Sequence, residues 1–398
     1  MVAAVRDAAY PVDATSVMKL LPARPQLLAL GEPVHGQEDL LALRNALFQE
    51  LVERERFRTI AIESDCMMGL VVDEYVRFGT GTLDDVMERG FSHGFGAFAG
   101  NRDLVRWMRD YNEGRPASEQ LRFAGFDGPL EISGAASPRQ ALTGLHAYLA
   151  ARVDAGELPC AAETLDSLLG VDEQWTNPAA MMDPSQSVGR TPEADQLRRI
   201  AGELVALLEA RKSHLLAASS PEEWERARLY GRTATGLLDY HFWMAEPSPS
   251  RMTRLLALRE SMMGANLLAL AEQGPTLAHG HNGHLQRDES TMQMGDTLLR
   301  WSSAGMIVGT QLGGRYAFLA TALGTIRHQG VDTPPPDTIE GILYTVPRDR
   351  YLVDARHLRD LLDGVRMVHR VSPWFGYSPL DPLASNDAIV FVRDVSPR

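Results

Sequence analysis

Cysteine is scarce in this chain: its 398 residues hold two, Cys66 and Cys160. That is too few for a disulfide framework, and the pair lacks the spacing of a zinc site. No uninterrupted apolar run approaches the ~18 residues that a membrane helix needs. No block of Lys and Arg occurs either, and the formal net charge is -13. That balance argues against a nucleic-acid groove or an anionic membrane surface as a partner. The first seven residues, Met1-Val2-Ala3-Ala4-Val5-Arg6-Asp7, break into charge too early for a signal peptide. A cytoplasmic protein is expected. What is present is a chain 44% hydrophobic and 23% charged, long enough for a sizeable core in one large α/β domain or two ordinary ones.

The chain is organised around Leu27-Leu28-Ala29-Leu30-Gly31-Glu32-Pro33-Val34-His35-Gly36. A short apolar run reads as a buried strand at 26–30, and the turn after it carries a carboxylate and an imidazole three residues apart. In a parallel α/β sheet this is the strand's C-terminal end, where ligands bind. Residues 37–55 show helical periodicity, with Leu40, Leu47, Phe48 and Leu51 forming a stripe. Arg44 falls on that stripe, and an inward guanidinium either snorkels to solvent or is aimed into a polar site. A second strand at 57–62 ends in Glu63-Ser64-Asp65. Strand, helix and strand fit a βαβ unit, which would set Glu63 beside Glu32 and His35. Helices are expected at 67–78, 83–89 and 101–111, and a third strand at 121–126 leads into Asp127.

From 140 to 273 the pattern is almost wholly helical. The sheet resumes at 275–278 and runs straight into His279-Gly280-His281-Asn282-Gly283-His284. Further strands are expected at 305–311, 341–346 and 388–392. The fold class expected is α/β, with a mostly parallel central sheet flanked by helices and a large inserted helical subdomain. Its parts are 1–135 and 274–398 as the α/β core, and 136–273 as an insertion walling a substrate cleft.

Three histidines within six residues are the densest functional signal. Two chemistries fit them. His35, His281 and His284, with neighbouring carboxylates, could ligate a divalent metal, although no HExxH or paired CxxC occurs. Alternatively, no cofactor is required: a neutral imidazole held by a carboxylate takes a proton from water. A second imidazole or Arg44 then stabilises the oxyanion or protonates the leaving alkoxide. Gly90-Phe91-Ser92-His93-Gly94 matches the G-x-S-x-G nucleophile elbow. That motif needs a strand before it and a helix directly after it. Here a helix precedes and a Gly-rich stretch follows, so a lip near the site is expected, not a nucleophile.

Taken in order, these motifs resemble the erythromycin esterase family. Gly31-Glu32-Pro33-Val34-His35-Gly36 matches its G-E-x-x-H-G, followed by a helix Arg at Arg44 and a strand-end Glu at Glu63. Gly125-Phe126-Asp127-Gly128 matches a G-F-D-G turn, and Arg259, Glu260, Met263 and Asn266 meet an R-[DE]-x-x-M-x-x-N helix. His281-Asn282-Gly283-His284 matches H-N-x-H, and Met294-Gly295-Asp296-Thr297-Leu298 a later M-G-x-x-L. The resemblance implies that His35 activates water for lactone hydrolysis, in a cleft lined by Glu32, Glu63, Arg44, His281 and His284. Asp127, Arg259, His279 and Asn282 are expected to contact substrate. Two features depart from the pattern: Ala97-Phe98-Ala99-Gly100 stands where relatives commonly carry a Trp and a Glu, and His279 is extra.

The function expected is a hydrolase opening an ester or macrolactone with no serine nucleophile. Its partner is a small-molecule ester, lactone, or polyketide or peptide natural product. The alternative keeps the site but abstracts a proton next to a carbonyl, as an epimerase, lyase or cyclase of natural-product assembly. A non-catalytic binding protein is disfavoured by the density of ionisable groups at the strand ends.

Overall fold

The computed structural model describes residues 2–131, 134–374, 376–381 and 385–397. Eight strands form its main sheet: β1 Ala9–Tyr10, β2 Leu27–Glu32, β3 Thr59–Asp65, β4 Arg122–Asp127, β5 Thr276–His281, β6 Tyr316–Thr325, β7 Arg350–Asp354 and β8 Ala388–Asp394. Their order is β1-β7-β8-β6-β2-β5-β3-β4. Pairings along β8-β6-β2-β5-β3 are parallel, and β7 runs antiparallel to both β1 and β8. Every residue of β2 and of the ten-residue β6 is buried, the pattern of parallel strands covered on both faces. This is the mixed α/β architecture expected from the sequence.

The chain divides into two compact units. The first comprises Met1–Phe126, Leu267–Met292 and Ser302–Arg398 and carries the sheet. Its core joins Leu28 and Leu30 of β2 and Ile60 and Ile62 of β3 to Leu47, Phe48 and Leu51 of the helix Glu38–Glu55. The apolar stripe read from the sequence is therefore the buried face. Glu38 and Asp39 occupy that helix's first turn, where negative charge complements the helix dipole. The second unit, Asp127–Asn266 with Gln293–Trp301, is mostly helical. Its longest helix, Pro221–Met244, begins with a capping box between Ser220 and Glu223 and a proline in its first turn. Leu237, Tyr240 and Met244 of that helix pack with Leu255 and Met262. Among the described residues, no helix is long and apolar enough to cross a membrane.

Two expected strands are helices. Residues 305–311 belong to Ala304–Leu312, started by the Ser303 hydroxyl accepting from Met306 N–H. Residues 341–346 fall largely in Ile339–Tyr344, started by Thr338 accepting from Gly341 N–H. In both, a hydroxyl N-cap settles short apolar runs that periodicity alone leaves ambiguous. The strand nearby is β6 instead, whose sequence YAFLATALGT contains two β-branched residues and so advertises its conformation poorly. β5 also extends past the expected 278, so that His279 and His281 lie within the strand.

The largest departure concerns strand order. β2 and β3 are not neighbours; β5 lies between them. Leu30 pairs with His279, Gly31 with Gly280 and Glu32 with His281, while Ile62 faces His279 from the other side. The histidines are thereby set between the two strand-end carboxylates.

Close backbone approach fixes a neighbouring strand end. A Cβ on Gly125 of β4 would stand 2.3 Å from the carbonyl oxygen of Asp65 and 2.5 Å from that of Ser64. Gly125→Ala therefore destabilises the protein by about 1–3 kcal/mol or more through overpacking. Gly202 lies inside the helix Pro192–Ala210, where an added Cβ meets nothing. Gly202→Ala stabilises by about 0.5–1 kcal/mol. Denaturant midpoints of the two variants check this opposition of sign.

Candidate active site

Two carboxylates organise the site. Glu32 ends β2 and Glu63 lies near the end of β3, and both are buried. Glu63 reaches across β5 because residue 280 is glycine: a Cβ there would meet Glu63 Oε2 at 2.8 Å and its Cβ at 2.9 Å. Glu63 Oε2 accepts the His281 backbone N–H at 2.6 Å, and Oε1 lies 3.2 Å from His284 Nε2. Glu32 Oε1 accepts from His35 Nδ1 at 2.8 Å. Burial pushes the Glu32 carboxyl up, but the His279 and His35 rings outweigh it and hold the group well below the usual carboxylate range.

His35 is half-buried, with 32% of its side chain accessible. Its Nε2 lies 3.7 Å from Glu63 Oε1, and its ring meets Phe95 at 5.1 Å and His281 at 5.4 Å between centroids. Burial lowers the His35 pKa, yet the Glu63 charge and the bond to Glu32 prevail and raise it above the ordinary 6.5. His281 is held differently. Its Nδ1 accepts from Gly283 N–H at 3.2 Å, capping the single turn Asn282–Leu285, and its Nε2 faces the Pro33 carbonyl at 3.3 Å. A carbonyl only accepts, so Nε2 carries the ring proton and the tautomer is fixed. Burial, then the nearby His35, pull this pKa down to about 4.

That tautomer bears on a metal. His281 has no free lone pair, because Nδ1 is engaged by a backbone N–H. The set His35, His281 and His284 thus does not fit a divalent ion. Among the described residues, no group of three or more His, Cys, Asp or Glu is placed to hold one.

The remaining expected residues take supporting positions. Arg44 is fully buried and donates to Asn45 Oδ1, Asn101 Oδ1 and the Gly100 carbonyl. It lies beneath the site, without a face for substrate. Asn282 spends its amide on the main chain of Thr321, donating to O at 2.9 Å and accepting from N at 3.2 Å. His279 is buried, with Nδ1 donating to the Leu30 carbonyl at 3.0 Å. Neither contacts solvent as a substrate ligand would. Asp127 and Arg259 form an ion pair in the second unit, Nη2 to Oδ2 at 2.6 Å, with Asp127 Oδ1 also accepting from Gly128 N–H. Ser92 is tied reciprocally to Ser64 and receives the Asp65 N–H, which leaves it no base.

Sequence reasoning missed Asn45, Asn101 and Glu38. Glu38 accepts from Ala99 and Gly100 N–H, covering the start of the helix Ala99–Asn112. That helix begins after Phe98, which offers no capping oxygen. Its unpaired N–H groups were a legible sign that a distant carboxylate must serve.

The chain matches the family model described as erythromycin esterase over residues 52–395. Among solved structures, a Bacillus cereus protein superposes with a TM-score of 0.75 at 19% identity, covering 100% of this chain and 97% of that one. A succinoglycan biosynthesis protein gives 0.72 at 17%, covering 100% and 97%. A mutant of the erythromycin esterase EreC in its open conformation gives 0.65 at 17%, covering 96% and 94%.

The fixed His281 tautomer makes a spectroscopic prediction. Histidine ¹⁵N shifts followed with pH show His281 neutral and Nε2-protonated down to about 4, while His35 titrates above 6.5. A His281 ring that gains its proton near 6.5 overturns this assignment.

Proposed function

The chain belongs to the erythromycin esterase family, a family of hydrolases, and on that premise we propose that it opens an ester or lactone of a small-molecule natural product with His35 as the base. The observation that carries this is the His35–Glu32 bond at 2.8 Å on a ring that keeps 32% of its side chain accessible. Glu32 holds the Nδ1 proton, so the Nε2 lone pair of neutral His35 is the acceptor for a proton from water.

The water oxygen attacks the carbonyl carbon as His35 Nε2 takes one proton. When the tetrahedral intermediate collapses, the carbon–oxygen bond breaks and the alkoxide takes the Nε2 proton of His284 in its imidazolium form, leaving a neutral ring. Glu63 Oε1 lies 3.7 Å from His35 Nε2 and 3.2 Å from His284 Nε2. It passes the proton held by His35 back to His284, and the site is restored. His281, locked as a cap, orients the turn that presents His284. Arg44 contributes its charge from below rather than a direct contact.

Hydrolysis in H₂¹⁸O of a panel of macrolides and simple lactones is expected to place one ¹⁸O in the product carboxylate. His35→Ala is expected to lower kcat by about 10²–10⁴. Near-normal turnover in that variant removes His35 from the role. Deuterium from D₂O entering product carbon, with no ¹⁸O uptake, would instead mark the epimerase, lyase or cyclase alternative.

The pH profile follows from the same charges. Only neutral His35 accepts a proton, and its pKa is raised, so kcat/KM falls as pH drops through a limb above 6.5. Glu63 is the largest raising influence on His35. Glu63→Gln therefore moves the limb to lower pH while reducing the plateau. A limb that stays in place would show that the base is another group.

A further inference from the structure

Two buried polar atoms in this site have no hydrogen-bond partner, Glu32 Oε2 and His279 Nε2. They stand 3.4 Å apart. His279 Nδ1 points at the Leu30 carbonyl at 3.0 Å, and a carbonyl only accepts, so Nδ1 bears a proton. A charged His279 would hold the Glu32 carboxyl down, yet Nε2 makes no hydrogen bond to the carboxylate that it faces, so the ring is neutral. Nε2 is then an acceptor directed at a carboxylate, which is also an acceptor. Left alone, each atom carries the cost of a buried unsatisfied group.

Both residues line a cavity of about 10 Å³, shared with Arg44, Glu63, Asn101 and Phe95. This is about the volume that admits one water molecule. Arg44 has five N–H donors; Nε, one Nη1 proton and both Nη2 protons go to Asn45, Asn101 and Gly100. The second Nη1 proton remains.

Deepening the reading of His35 as the base, we propose that His279 is a positioning residue, acting through one water in this cavity that donates to Glu32 Oε2 and His279 Nε2 and accepts from Arg44. The bridge satisfies both orphan atoms without an added proton. It also fixes Glu32 on two sides: Oε1 is held by His35 and Oε2 by the water. The carboxylate cannot rotate away from the base, and the buried guanidinium, which bonds no carboxylate directly, reaches Glu32 through a hydrogen-bonded link. The charged and titratable groups around this bridge are Glu32, Glu63 and Arg44, with His35 on the far side of Glu32 and Glu38 acting on Arg44 through space.

The test begins with the wild-type protein and needs no substrate. A high-resolution crystal structure is expected to show one water within hydrogen-bond distance of Glu32 Oε2, His279 Nε2 and Arg44 Nη1. Histidine ¹⁵N shifts are expected to show His279 protonated on Nδ1 alone. A ring protonated on both nitrogens in direct contact with Glu32, or a site without the water, overturns the proposal. In variants, His279→Leu removes one acceptor and is expected to lose the slowly exchanging His35 Nδ1–H resonance. It should lower kcat by about 10- to 100-fold at unchanged KM, and His279→Gln should recover part of both. A folded His279→Leu that keeps the resonance and the rate removes His279 from the role while leaving hydrolysis by His35 intact. Should the wild type open no lactone, the density and the ¹⁵N shifts still decide the bridge.

Discussion

Everything at this site depends on one packing constraint, the insertion of β5 between β2 and β3 in parallel register. Parallel pairing sets Glu32 opposite His281 and Leu30 opposite His279. The absence of a side chain at Gly280 lets Glu63 lean over the strand from the opposite flank. Three strands thus deliver two carboxylates and two imidazoles to one edge, and the turns after β2 and β5 add His35 and His284. A methyl group at position 280 would push Glu63 off the His281 N–H. The site is built by backbone proximity before any side chain chooses a partner.

Burying so many ionisable groups is tolerable because each is given a defined partner. Glu63 is held by a backbone N–H and an imidazole, and Glu32 by the base itself. His281 is kept neutral by its surroundings, with its lone pair and proton both committed to the main chain. This division of labour separates the imidazoles chemically although they lie side by side. His35 is raised toward the charged form by two carboxylates, and His281 is driven away from it. Like charges in adjacent rings would repel, and the tautomer lock on one ring removes that conflict.

Much of this was legible in the sequence, for identifiable reasons. The strand 26–30, its turn and the helix after it follow from an apolar run, a Gly-Pro break and a 3.6-residue stripe, all local signals. The carboxylates at 32 and 63 and the cluster at 279–284 followed from strand ends. Strand order was not legible, because β5 arrives more than two hundred residues after β3 and its position is a property of the whole sheet. Nor were the roles within the cluster. His281, Asn282 and His284 look equivalent in a string, but hydrogen bonds to Gly283, Pro33 and Thr321 make the first two structural. Residues 316–325 escaped notice because burial on both faces demands no alternation and few β-branched residues mark it.

Arg44 illustrates how burial without a carboxylate partner can still serve chemistry. Burial draws its pKa down to about 10, with Glu32 and Glu38 opposing the shift, so the guanidinium stays charged at neutral pH. Asn45, Asn101 and Gly100 solvate it as water would, with neutral dipoles. A direct ion pair would have quenched its field on one oxygen. A neutral cradle instead leaves a positive charge under Glu32, favouring the ionised carboxylate that His35 needs. The sequence feature behind this is modest: an asparagine next to the arginine, and another two residues into a helix whose N-terminus is capped from elsewhere.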